Sequence, residues 1–159
     1  MKKYILLFLG LGLLGACKKE LSYNFAFILN GVTYRGDNYS ATYNLDTVAG
    51  LREFAADFYI GSTSDTNYVQ VSFSGNSFIA PGTYYSGVNN INNTQCSFAY
   101  NKNHVYYNNV SGIVEILQID TISHKIKGNF QFKAVSSVNA ADTVRVTNGA
   151  FSAINYHVQ

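Results

Sequence analysis

Chemistry near neutral pH usually draws on histidine, cysteine or paired carboxylates, and this chain has three histidines, two cysteines and nine Asp plus Glu. His104, His124 and His157 lie far apart and form no His-x-His or His-x-x-x-His ligand pair. No Gly-x-Ser-x-Gly segment presents a nucleophilic serine, and no Asp-x-Asp-x-Asp-Gly loop offers oxygen ligands for calcium. Glu115 sits inside the apolar run Ile113-Val114-Glu115-Ile116-Leu117, but glycoside hydrolysis needs a second carboxylate across the sugar. A strand edge or a salt bridge to a lysine accounts for it more simply. Cys96 lies in Gln95-Cys96-Ser97-Phe98-Ala99-Tyr100 and reads as a buried, inert thiol in a strand. His104 is the one nearby residue that could activate it. These residues predict no catalysis, no metal site and no cofactor.

Ligand recognition has a better basis. Tyr84, Tyr85, Asn90, Tyr100, His104, Tyr106 and Tyr107 crowd residues 84–109. Flat aromatic faces beside amides that both donate and accept are how sugars and peptides are commonly held. The plainer reading is that tyrosine covers the outer face of a sheet while asparagine fills its turns.

The elements that would position these residues are strands. Asn30-Gly31 joins two alternating runs, a strong hairpin signal because both turn residues need positive φ. Residues 52–61 place Phe54, Ala56, Phe58 and Ile60 on one face, and residues 68–74 return with Val69, Val71 and Phe73 inward. Pro81-Gly82 favours a type II turn. Strands at 97–100 and 104–107 would be joined by residues 101–103. The densely apolar run 112–120 reads as covered on both faces. Residues 125–134 alternate Ile126, Phe130, Phe132 and Ala134 inward against Lys125, Lys127, Asn129, Gln131 and Lys133 outward, which predicts one wet face. The last strand is interrupted by a bulge or turn at Asn148-Gly149. About ten short strands and no long amphipathic helix predict an all-β antiparallel β-sandwich, with a flattened β-barrel as the alternative.

The first sixteen residues carry a basic start at Lys2 and Lys3 and an apolar run closed by small residues, the build of a cleaved secretory signal. The run is about a dozen residues, short of the roughly 20 that span a bilayer. Leu14-Gly15-Ala16-Cys17 resembles the bacterial lipobox, which implies cleavage before a diacylglycerol-modified Cys17. Two acyl chains suffice for stable anchoring. The expected organisation is a signal over 1–16, a lipidated tether over 17–23 and the β domain over 24–159. Without Lys2 and Lys3 the eleven Lys and Arg fall to nine, which balance the nine acids. The clustered basic excess that nucleic acid demands is missing. Cys17-Lys18-Lys19-Glu20 is similar to the export tag of Bacteroidetes surface lipoproteins, and Lys18 is not the aspartate that retains lipoproteins in the inner membrane. Both resemblances imply an outer-membrane address, in either leaflet.

The run from Ile126 to Ala134, the Val144 to Phe151 segment, the Asn30-Gly31 hairpin and Pro81-Gly82-Thr83-Tyr84 together resemble small uncharacterised Bacteroidetes lipoproteins. That resemblance implies fold and address but no site residues. Asp46-Thr47-Val48, Asp120-Thr121-Ile122 and Asp142-Thr143-Val144 resemble the Asp-Thr-apolar acceptor for O-glycosylation in the same group, which nominates Thr47, Thr121 and Thr143. Asp-Thr is also ordinary turn chemistry. The functional expectation is a non-enzymatic, membrane-anchored envelope lipoprotein acting as an interaction module, partnered by the bilayer through Cys17 and by a glycan or protein. Its alternatives are a carbohydrate- or peptide-binding accessory protein using residues 84–109, and a hydrolase or hydrolase inhibitor.

Overall fold

A computed structural model describes residues 23–46, 50–62, 66–88 and 93–159; Cys17 and the signal, Thr47 and Asn90 lie outside the described residues. The described residues hold eleven strands: β1 (Phe25–Leu29), β2 (Val32–Gly36), β3 (Tyr39–Asp46), β4 (Leu51–Tyr59), β5 (Tyr68–Gly75), β6 (Gly82–Tyr85), β7 (Gln95–Lys102), β8 (Val105–Asp120), β9 (Lys125–Ser136), β10 (Thr143–Asn155) and β11 (His157–Val158). The protein is all-β, as the sequence predicts. The ladder is a single sheet in the order β11-β3-β4-β5-β7-β8-β9-β10-β1-β2, with β6 paired to β8 off that path. Its pairings are antiparallel except that of β11 with β3.

This one sheet turns back on itself, so its two halves face each other as the layers of a sandwich do. In the ladder β4 is separated from β9 by three strands, yet the Phe58 ring of β4 stacks on Phe130 of β9 with centroids 5.6 Å apart. It also meets Phe25 of β1 at 5.2 Å and Phe151 of β10 at 5.7 Å. Such contacts require the sheet to curl through roughly half a barrel. The chain leaving β10 then reaches the far end of the strand order, where β11 lies along β3 and the Gln159 N–H donates to the Tyr43 carbonyl at 3.0 Å.

Local chemistry explains the turns. Asn30 and Gly31 have φ of 48° and 85°, the left-handed pair that a two-residue hairpin needs. Asn103 and His104, at 50° and 69°, make a similar tight turn between β7 and β8, so His104 belongs to the turn and not to the strand. Gly82 opens β6 with φ 152°, far from the roughly 80° of a type II turn. The expectation that residues 112–120 are covered on both faces is corrected: Val114 and Ile116 are buried, whereas Glu115 and Leu117 are exposed. The β9 alternation holds throughout, with Gly128 also inward. The bulge at Asn148-Gly149 is present as a register shift between Val146 and Gly149.

Gly128 marks a close approach within the curl. A Cβ there would stand 2.5 Å from the Glu115 carbonyl oxygen and 2.7 Å from the Phe151 ring. Overpacking of this kind costs about 1–3 kcal/mol. Gly128→Ala should lower the free energy of urea unfolding by that amount without changing m, and an unshifted midpoint would show that the core there can yield.

Candidate functional site

The curl separates the residues that the sequence groups together. Tyr84 is fully buried, edge-on to Phe73 at 5.2 Å. Its hydroxyl donates to the Ala80 carbonyl at 2.7 Å and accepts from the Ala80 N–H at 3.0 Å. Tyr100 and Tyr107 are buried against each other, centroids 5.3 Å apart. The Tyr107 hydroxyl donates to Asp142 Oδ2 at 2.7 Å. That bond, with burial and the carboxylate charge behind it, pushes the phenol up to about 12. These three tyrosines are core residues that offer no face to a ligand, and Tyr84 and Tyr107 also pin loops through their hydroxyls. Tyr85, Tyr106 and His104 are exposed, but Tyr85 lies opposite Ile113 while Tyr106 lies opposite Asn101, near the other end of β8. Thr121 and Thr143 are exposed, and Asp120 caps the turn after it by accepting from the Ile122 and Ser123 N–H groups at 2.9 Å each.

Tyr85 belongs to a groove on the outer face. β6 forms one wall with Thr83 and Tyr85, the β10 bulge forms the other with Asn148 and Ala150, and Ile113, Glu115, Asn129 and Gln131 of β8 and β9 form the floor. Its volume is about 660 Å³. Register builds the floor, because Glu115 lies opposite Asn129 and Ile113 opposite Gln131. Asn148 stands up because its φ of 50° breaks the strand there. Gly149 lets the bulge sit close, since a Cβ would meet the Phe130 carbonyl oxygen at 2.6 Å. The Asn129 amide donates to Glu115 Oε2 at 3.2 Å. One aromatic face, three side-chain amides and one hydrogen-bonded carboxylate can grip a polyhydroxylated ligand by stacking and paired hydrogen bonds. Of these residues only Tyr85 stood among the sequence-predicted ligand residues.

The β4, β5, β7 and β8 half carries a second polar patch, of which only Tyr106 stood among the sequence-predicted ligand residues. Tyr59, Tyr68, Asn101 and Tyr106 form a row across four strands, and Tyr59 and Tyr68 are tilted by 56° at 5.7 Å. One step along, Gln70 donates to Asp57 Oδ1 at 2.8 Å. Burial raises the Asp57 carboxyl above its usual range, and the Gln70 amide offsets part of that. Alternation places Asp57 and Tyr59 outward, so the signal was present, but the pairing register was needed to join them to Tyr68.

Cys96 is buried, and burial pushes its thiol up to about 11. His104 lies beyond the far end of β7, past six residues of strand or roughly 20 Å, so it does not activate that thiol. Among the described residues no group of three or more His, Cys, Asp and Glu could hold a metal ion.

The fold and groove define a class: a β domain made of one curled sheet with an amide-lined trough on its outer face. The chain belongs to the DUF6252 family, described as a domain of unknown function, whose sequence model matches residues 24–155. That span opens just before β1 and closes at the end of β10, so every wall and floor strand of the groove lies within the family domain. No curated protein and no solved structure matches the chain.

Because the thiolate is the reactive form, Cys96 should resist iodoacetamide in the native protein at pH 8 and react fully once the chain is unfolded in guanidinium. Rapid native labelling would show that the β7 core opens.

Proposed function

We propose that the chain is a lipid-anchored envelope protein of the outer membrane whose β domain is a non-enzymatic interaction module, with the outer groove as its recognition surface. The observation that carries this reading is the chemistry of the groove. Its single carboxylate, Glu115, is already bonded to Asn129, whereas the two-carboxylate geometry of glycoside hydrolysis needs a second acid facing it. The amides of Asn129, Gln131 and Asn148 supply donors and acceptors in equal measure, which suits recognition better than turnover. The lipobox-like Leu14-Gly15-Ala16-Cys17 and the Lys-rich residues after it support the anchor and the Bacteroidetes-type address. Thr121 in its exposed turn suits the proposed O-glycan.

Between the two recognition classes, a saccharide is favoured over a peptide. Peptides that add to a sheet need an unpaired strand edge, and β8 and β9 are paired on both sides where they floor the groove. Recognition there runs through side chains, as it does for sugars.

Two outcomes test the reading. Cys17→Ser should leave the signal uncleaved and prevent diacylglyceryl attachment; normal processing with recovery in salt-washed membranes would refute the anchor. In a thermal-shift screen of oligosaccharides, a ligand of the native state must raise Tm, and Tyr85→Ala should abolish that rise while leaving the unliganded Tm within about 2 °C, as surface substitutions do. A shift that survives in Tyr85→Ala would place the ligand elsewhere.

A further inference from the structure

Lys133 of β9 and Arg145 of β10 lie directly opposite each other on the outer face. Like charges in that relation destabilise an antiparallel pair, and among the described residues neither side chain has an ion pair to relieve it. Together with Asn30, Ser111 and Thr143 they border a depression of about 530 Å³. That depression shares Ile113 and Gln131 with the groove, so the two are one trough running along β9. From Asn129 to Lys133 the strand advances roughly 13 Å. The charge along it is polarised, with Glu115 opposite Asn129 at one end, the Tyr85 ring midway at the level of Ile113 and Gln131, and two unpaired cations at the other.

We infer that the trough takes an acidic oligosaccharide, with an anionic group clamped between Lys133 and Arg145 and neutral rings lying over Asn129 and Tyr85. This rests on the glycan reading above. A carboxylate, sulfate or phosphate on the sugar would relieve the repulsion between the cations. The planar guanidinium of Arg145 matches two oxygens of such a group at once. Glu115 fixes the direction, because an anion at that end would meet a like charge.

Isothermal titration of the full chain in neutral detergent tests this with a trimer of α-1,4-linked galacturonic acid against the neutral galactose trimer of the same linkage. The acidic trimer should bind about tenfold or more tightly, as charge-assisted hydrogen bonds typically give, and added salt should narrow the gap. A Lys133→Gln, Arg145→Gln double variant should lose the preference, keep its affinity for the neutral trimer, and melt no lower than the parent. Equal binding of the two trimers by the parent chain overturns this inference but leaves the glycan reading standing. Binding of neither removes both. Tighter binding to an acidic tripeptide, or to phosphatidylglycerol vesicles, than to the acidic trimer also overturns it.

Discussion

The stack of phenylalanine rings that closes the sheet on itself is the interaction on which the rest depends. Phe58 stands between Phe25, Phe130 and Phe151 with no exposed surface. It joins strands that are remote in the ladder. Truncating a buried phenylalanine typically costs about 3–5 kcal/mol, against a whole-domain stability of about 5–15 kcal/mol. Further ring contacts between segments that are not ladder neighbours reinforce that seam, among them Phe98 with Phe132 at 5.1 Å and Phe54 with Tyr156 at 6.0 Å. The parallel β11 on β3 and the C-terminal backbone bonds to Tyr43 close the same end of the curl.

Once the inner face is committed to aromatic packing, function is left to the outer one. Curling bends β8 so that its first part pairs with β7 and its later part with β6. The short β6 therefore stands as a wall over the β8 and β9 surface. On the far side the Asn148-Gly149 bulge lifts β10. An ordinary flat wet face, which would be the default for an antiparallel sheet of this kind, becomes a trough because two local irregularities flank it.

Much of the framework was legible in the sequence, because hairpin turns and period-two alternation are local. Asn30-Gly31, the inward set of β9 and the Asn148-Gly149 bulge all follow from a few neighbouring residues. The curl was not legible, since it is fixed by ring contacts between strands far apart in sequence. Residue type and proximity group the ligand candidates together, but strand alternation divides them. Tyr84 and Tyr85, like Tyr106 and Tyr107, are consecutive in strands and must point to opposite faces, so each pair gives one core residue and one surface residue. Local pattern puts His104 in a strand, whereas its backbone takes the left-handed region. The groove is not legible in the sequence because its sides come from β6 and β10, which only tertiary structure brings to either side of β8 and β9.

The most direct measurement of the account is an NMR titration of the isotope-labelled full chain in detergent with the galacturonic acid trimer. If the outer trough is the recognition surface, the amides that move will cluster at residues 83–85, 113–115, 129–133 and 145–150, while those of Tyr59, Tyr68 and Tyr106 stay still. Shifts confined to the Tyr59, Tyr68 and Tyr106 row, with the trough silent, would contradict it.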